Sequence, residues 1–462
     1  MEQTIAANPL GVEKVSKLLA KFAIPSIIAM LVSALYNIVD QIFIGQSVGI
    51  LGNAATNVAF PLTTICTALA LLMGLGGASN FNLSLGAGNK KKAAQFVGNS
   101  ITMLLIAGIS LCIIVQIFLQ PMMIAFGATS DVLGYALSYT GITSFGFPFL
   151  IFATGATNLI RADGNPKYSM LCVLTGAIIN TILDPLFIFR FGWGIQGAAS
   201  ATIIGQIVSA SMAAFYLVRR YHSVSLSKDA FRPRAANCRA IVALGAAGCF
   251  NQLAMMVVQI TMNNVMTKYG AVSIYGSEIP LAVSGIIAKV NMIFMAIIIG
   301  IAQGVQPISS FNYGAKNYRR VREVYLRAIT IATIIAFGAF FCFQFFPRQI
   351  IGIFGSGTEE YYHFAERFFR IFLMLTFING LQPVTSNFFT SIGKAIKGIW
   401  LSLTRQIIAL LPLILIFPIF FGIDGVMYAG PIADGAAALL SIILVSRELK
   451  GMKKLETVRL FP

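Results

Sequence analysis

Twelve long apolar runs, separated by short polar loops, divide this 462-residue sequence. A helix that crosses the hydrocarbon core of a bilayer needs about 20 mostly apolar residues, and each run supplies them. Because 57% of the residues are hydrophobic and only 11% are charged, no part of the chain is polar enough to form a soluble domain. The sequence therefore predicts an all-α polytopic membrane protein with twelve transmembrane helices. The predicted spans are residues 18–46, 51–80, 93–120, 131–160, 167–190, 194–219, 240–267, 279–311, 321–346, 361–391, 396–421 and 424–446.

Basic residues are concentrated in every second loop. Of the 33 lysines and arginines, 26 lie on one side of the predicted spans, and only Arg190, Lys268 and Arg348 lie on the other side. Cytoplasmic loops carry such an excess, so we expect a multi-pass protein of the cell membrane with both termini in the cytoplasm. The net charge of +17 belongs to these loops, and nucleic acid is not an expected partner.

The second half of the sequence repeats features of the first half at an offset of about 228 residues. The segment GAGNKKK at 86–92 matches GAKNYRR at 314–320, and GIQG at 194–197 matches GIDG at 422–425. Each half contains six predicted spans, so the two halves have the same orientation and are related by a pseudo-two-fold axis along the membrane normal. We expect two six-helix lobes, 1–220 and 240–462, joined by a basic cytoplasmic linker, 221–239, with a substrate cleft between the lobes.

Two carboxylates lie inside the apolar runs of the first half. Asp40 and Asp184 are each about six residues, or roughly 9 Å, from the outer end of an outward-running span, so they lie at the same depth. A carboxylate in hydrocarbon is costly and commonly marks a cation or proton site. Oxygen-bearing or amide residues expected at or near this level are Asn37, Tyr139, Asn180 and Thr202. Each of these alone is more often an interhelical hydrogen-bond partner than a ligand.

The two carboxylates together favour a functional interpretation. Like charges at close range make shared protonation or capture of a cation the natural way to tolerate them. Carboxylate, amide and hydroxyl oxygens suit a hard monovalent cation, so both Na⁺ and a proton are candidates at Asp40, Asn180, Asp184 and Thr202.

The second half presents a different set of polar residues. Its first span, 240–267, carries amides but no acid, so we expect it to line the cleft without taking part in cation chemistry; the substrate-cleft candidates are Gln252, Met256, Gln259 and Asn263. Lys289 and Arg405 also fall within predicted spans. Each could neutralise an anionic head group in the cavity, or could snorkel and bond to backbone carbonyls, and we favour the structural role.

Enzymatic and metal chemistry find little support in the sequence. Only two histidines are present, and neither has an acidic or cysteine neighbour at metal-ligand spacing. The six cysteines form no C-x-x-C pair, and no nucleophile–base arrangement is apparent. We therefore expect a monomer that is not an enzyme and needs no cofactor, with the lipid bilayer and small organic molecules as its partners.

Several of these segments together resemble the multidrug and toxic compound extrusion (MATE) family. They are LYNIVDQIFIG in the first span, LGAGN followed by lysines, its counterpart YGAKN, RADGNPK after the fourth span and N-x-x-x-D-P in the fifth. The resemblance covers nearly the whole chain and is closest to the prokaryotic branch whose acidic site lies in the amino-terminal lobe.

In that branch the residues that match Asp40, Asn180, Asp184 and Thr202 form the site coupled to a cation or proton. The resemblance thus implies an antiporter that exports organic, often cationic and aromatic, compounds or drugs in exchange for Na⁺ or H⁺ by alternating access. The absence of an acid from the seventh span argues against a second coupling site. The alternative is a flippase for a lipid-linked precursor from the same superfamily, for which a more basic cavity is expected.

Overall fold

The computed structural model describes residues 8–276, 278–354 and 357–460. Within these ranges every regular element is helical. The outermost residues of the two predicted lobes, 1–7 and 461–462, lie outside them. Eleven helices are each long and apolar enough to cross a membrane, and a bent pair of helices supplies the twelfth crossing. The predicted all-α fold with twelve spans is therefore confirmed.

The membrane helices are labelled α1 to α12 in chain order. Helices α1 to α6 are Val15–Val48, Ile50–Gly86, Lys90–Ile117, Ser130–Ala162, Pro166–Arg190 and Gly194–Arg219. Helices α7 to α12 are Ala235–Ala271, Glu278–Gly314, Tyr318–Phe345, the bent pair Glu359–Ile378 and Leu381–Ser391, Ala395–Phe421 and Asp424–Leu460. Most helices extend a few residues beyond their predicted spans because a helix continues into the polar boundary region after its apolar run has ended.

The two groups of six helices meet mainly along two pairs, α1 with α8 and α2 with α7. Glycines allow these helices to approach closely. A Cβ atom placed on Gly245 of α7 would lie 1.8 Å from the carbonyl oxygen of Leu72 on α2, and one on Gly304 of α8 would lie 2.7 Å from the Cα atom of Ala23 on α1. Small residues at crossings of this kind bring helix backbones into direct contact.

These close contacts lie toward one end of the bundle. We call this end the basic side, because α3 and α9 begin there with Lys90–Lys92 and Arg319. Helix α1 begins at the basic side and α8 ends there, so Ala23 and Gly304 both lie in the basic half of their helices. The two lobes are therefore packed together on the basic side.

The segment that precedes α1 adds a second contact between the lobes on the basic side. A four-residue helix, Pro9–Val12, leads into α1. The amide nitrogen of Asn312 on α8 donates to the carbonyl oxygen of Leu10 at 2.9 Å, and Arg320 on α9 donates to the carbonyl oxygen of Glu13 at 2.6 Å. The amino-terminal segment is thus held by the carboxyl-terminal lobe.

The linker between α6 and α7 is held against the amino-terminal lobe. The Asn99 amide on α3 donates to the backbone carbonyl oxygens of Ala230 and Arg232, at 2.8 and 2.9 Å. The backbone nitrogen of Ser223 donates to Asp163, which follows α4, at 3.0 Å. The linker therefore belongs structurally to the first lobe, while the boundaries 1–220, 221–239 and 240–462 stay a prediction.

Candidate functional site

Asp40 and Asp184 lie on neighbouring helices of the amino-terminal lobe, α1 and α5. Asp184 is completely buried, and Asp40 is half-buried. Their carboxyl groups are close enough for one to donate a hydrogen bond to the other when it is protonated. The two acids that the sequence placed at one depth are thus adjacent in space.

The backbone is irregular directly after Asp184. The α-helical part of α5 ends at Pro185, and the chain continues as a π-helical turn from Leu186 to Arg190. Proline has no N–H group to offer to the preceding turn, which explains why the regular ladder ends there. A π turn of this kind is frequently found at functional sites.

Asn180 links the acidic pair to α6. Its amide nitrogen lies 3.4 Å from Asp184 Oδ1 and 3.3 Å from Thr202 Oγ1. Both distances are at the long end of the range for a hydrogen bond. Asn180 and Asp184 are four residues apart and share one face of α5. The structure therefore brings together the four residues that the sequence predicted as a coupling site.

Three oxygen atoms in this cluster are buried without a hydrogen-bond partner. They are Asp40 Oδ1, Asn180 Oδ1 and Asp184 Oδ2. Buried polar atoms are nearly always satisfied in folded proteins, and an unsatisfied group needs an explanation. Acceptor oxygens that converge without donors suit either a bound cation or a proton shared between carboxylates. Asp40, Asn180 and Asp184 are therefore suited to hold a monovalent cation or a proton.

Two tyrosines border the acidic pair. Tyr139 on α4, which the sequence predicted as a supporting residue, is buried and interacts electrostatically with both Asp40 and Asp184. Tyr36 does the same from α1. The sequence analysis missed Tyr36, although its position four residues before Asp40 places it on the same helix face.

Asn37, the other predicted supporting residue, occupies a different environment. Its side chain is exposed, and its amide nitrogen donates to the backbone carbonyl oxygen of Ser33 at 2.6 Å. It is therefore engaged by its own helix, and the structure records no contact that brings it to the acidic pair among the described residues.

The four predicted cleft residues lie along α7, which packs mainly on α2 and α11. Gln252 and Met256 are half-buried, and Asn263 is exposed. The Gln259 amide nitrogen donates to Asn263 Oδ1 at 3.0 Å. Exposing an amide side chain to lipid is energetically unfavourable, which favours a position for these residues on the cleft between the lobes. Their role in substrate binding stays a prediction.

Arg405 and Lys289 have different surroundings in the structure. Arg405 on α11 is buried, and its Nε atom donates to Asp434 Oδ1 on α12 at 2.6 Å. This ion pair favours the structural role, although through an acid that the sequence analysis did not single out. Lys289 on α8 lines a cavity between the lobes.

Comparisons with known proteins agree with this architecture. A family model described as MatE matches residues 25–186 and 247–416, most of the chain. This chain belongs to the MatE family of membrane transporters. Membership confirms the predicted family and the prediction that the protein is not an enzyme.

Two curated relatives are named as multidrug export proteins. The multidrug export protein MepA of Staphylococcus saprophyticus subsp. saprophyticus is 25% identical over 428 residues, which cover 92% of both chains. MepA of Staphylococcus aureus is 24% identical over 434 residues, with 93% of both chains covered.

Solved structures show the same fold. One is titled as the outward-facing conformation of a multidrug resistance MATE family transporter of the MOP superfamily; it has a TM-score of 0.88 and 24% identity, with 98% of both chains covered. A MOP superfamily transporter from Pyrococcus furiosus gives the same values, and its title states that reverse polarity of its binding pocket suggests a different function.

Proposed function

We propose that this protein is a secondary active antiporter that exports organic compounds, drugs among them, in exchange for Na⁺ or H⁺. The coupling ion is held by Asp40, Asn180, Asp184 and Thr202. The observation that carries this proposal is the group of three buried acceptor oxygens without partners in the amino-terminal lobe. The names of the staphylococcal relatives support the multidrug character of the export.

The acidic pair can couple ion binding to a conformational change, because the pair has a different charge when it is empty and when it holds an ion. An empty, fully ionised acidic pair would place two like charges together in a buried site, which is unfavourable. A proton or a monovalent cation removes this repulsion. Occupancy of the site therefore changes the free energy of the conformation that contains it, as coupling requires.

Helix α1 supports a route from the ion site to the substrate cleft. It carries Asp40 toward one end and, toward its basic end, packs against α8 of the other lobe at Ala23 and Ile27. The lobes meet on the basic side, and a cavity lies between α1, α2 and α8 farther along these helices. We infer that transport alternates between this arrangement and one that opens on the basic side.

The test is transport in proteoliposomes with separately imposed Na⁺ and pH gradients. The fluorescent cation used as substrate is the methyl ester of a rhodamine. Wild-type protein should move it against its gradient when one of the two ion gradients is imposed. Asp40→Asn and Asp184→Asn should each insert and remain monodisperse but lose gradient-driven transport, because an amide neither carries the charge nor exchanges the proton.

Asp131→Asn is the matched control, since Asp131 is an exposed carboxylate near the beginning of α4. It should transport as the wild type does. An Asp184→Asn protein that still pumps with unchanged ion dependence would show that the acidic pair is structural. If transport by the wild-type protein responds to neither the Na⁺ gradient nor the pH gradient, the proposed antiport mechanism is wrong.

A further inference from the structure

A lysine lies within the eighth predicted span, on α8. Lys289 is eleven residues after Glu278, the first residue of the helix, which corresponds to about 16 Å along the helix axis. An ammonium group at such a depth is expensive and is retained where it has a partner, a route to water or a function. The residues around Lys289 indicate which of these three explanations applies.

The Lys289 side chain lines a cavity of about 330 Å³ between the two lobes. The other lining residues come from α1, α2 and the turn between them: Gln41, Ile42, Gly45, Gln46, Gly49 and Asn53. None of them is acidic. In the described part of the chain, none of the recorded ion pairs involves Lys289. Among the described residues, no acid forms an ion pair with this lysine, so the cavity can offer its positive charge to a ligand.

The rest of the lining is suited to a polar group attached to an apolar body. Gln41, Gln46 and Asn53 contribute amide groups that can donate hydrogen bonds. Ile42 is 50% exposed and supplies apolar surface next to these amides. An ammonium with several amide donors is the chemistry that recognises a carboxylate.

We propose that this cavity binds the carboxylate of an amphipathic organic compound and that Lys289 Nζ supplies its counter-charge. The proposal rests on the proposed export function and narrows its substrate class to include compounds with an anionic group. It contrasts with Arg405, a buried basic residue of α11, which already has its acid in Asp434. Gln41 directly follows Asp40, so the substrate subsite and the ion site share α1.

The test uses two probes that differ only in this group, a rhodamine with a free carboxylate and its methyl ester. Binding is measured by fluorescence polarisation with purified protein in nanodiscs, and transport is measured in proteoliposomes. Lys289→Met should weaken binding of the acid roughly ten- to a hundredfold, the range expected for a hydrogen bond to a charged group. Binding and transport of the ester should stay within about twofold of the wild type.

Two variants control for charge and for position. Lys289→Arg retains the positive charge and should recover much of the affinity for the acid. Lys268→Met removes an exposed lysine at the end of α7 that does not line the cavity, and it should affect neither probe. Size-exclusion chromatography establishes that each variant is folded.

Three results would overturn the proposal. One is an equal loss of both probes in a folded Lys289→Met protein, which would make the lysine structural. The second is a wild type that transports the ester but does not bind the acid. The third is Lys289-dependent stabilisation by phosphatidylglycerol in place of the acid, which would assign the site to a lipid head group. Failure of the wild type to transport either probe would instead refute the proposed export function.

Discussion

The close contact between the lobes on the basic side predicts how a single methyl group would change the conformational equilibrium. A Cβ atom on Gly245 would lie 1.8 Å from the Leu72 carbonyl oxygen, whereas real Cβ atoms essentially never come within 3.0 Å of another atom in this way. Helices α2 and α7 would have to separate by about 1.2 Å, because the obstructing atom belongs to the backbone and cannot rotate away.

The size of the effect follows from the cost of overpacking. Extra atoms in a close-packed site typically cost about 1–3 kcal/mol. If Gly245→Ala raises the free energy of the arrangement closed on the basic side by this amount and leaves the other arrangement unaffected, the ratio of the two populations falls by about 5- to 150-fold. The variant should therefore spend much more time open on the basic side.

Distances between spin labels on the two lobes measure this shift directly. Labels at Lys91→Cys and Arg319→Cys, in a background without other cysteines, place one probe on each lobe at the basic side. Double electron–electron resonance should show a larger long-distance population in Gly245→Ala than in the parent protein. Gly338→Ala is the control, because a Cβ atom on this α9 glycine meets nothing within 4 Å.

An unchanged distance distribution in a folded Gly245→Ala protein would refute the assumption that this crossing separates during transport. An equal shift in Gly338→Ala would show that added helix propensity, and not the obstruction, is responsible.

Three further expectations concern other parts of the molecule. Gln259→Ala or Asn263→Ala should change the relative export of different compounds but leave the ion dependence intact; uniform loss of coupling would relocate the ion site. Asp434→Asn should destabilise the protein by about 3–5 kcal/mol, because it leaves a buried guanidinium unpaired, and a thermal unfolding assay would detect this. Single cysteines at Lys91 and Gly127 should be labelled from the cytoplasmic and the external side, respectively, and the reverse pattern would invert the predicted topology.

The sequence predicted the helices and the acidic pair because both depend on local features. Apolar runs report directly on membrane helices, and α6 begins and ends at the predicted residues, 194 and 219. Asp40 and Asp184 were found by their depth alone, since each position along a span translates into a distance from the membrane boundary. Their adjacency followed once both helices were assigned to one lobe.

Features that depend on rotation and register of neighbouring helices could not be predicted. The pairing of Arg405 with Asp434 requires that α11 and α12 present these residues to each other, which spacing along one chain does not reveal. Asn37 is three residues from Asp40, about 60° away around the helix. Its side chain is nevertheless exposed and bonded to Ser33, because burial depends on where the neighbouring helices pack.

The bend in α10 is an intermediate case. The sequence treated residues 361–391 as one span, whereas the structure divides it after Ile378 and bends it by 40°. Pro383 lacks an N–H group for the carbonyl oxygen of Asn379, four residues earlier, and Gly380 lies between them. Both residues are visible in the sequence, and a proline within so long an apolar run indicates a kinked helix, but the run does not give the position or the angle of the bend.

The two repeats differ in how their buried acids are paired, and this difference supports the proposal that ion coupling belongs to the amino-terminal lobe. At the repeat offset, α11 and α12 correspond to α5 and α6. Between α11 and α12 the buried acid, Asp434, is paired with Arg405 at 2.6 Å. Between α5 and α6 the buried acid, Asp184, has the long contact from Asn180, lies beside the Asp40 carboxyl group and retains an oxygen without a partner. An acid that is already paired with a buried cation gains little from binding an ion. We infer that an acid whose counter-charge must come from solution can respond to a gradient, and that only the amino-terminal lobe converts ion binding into movement.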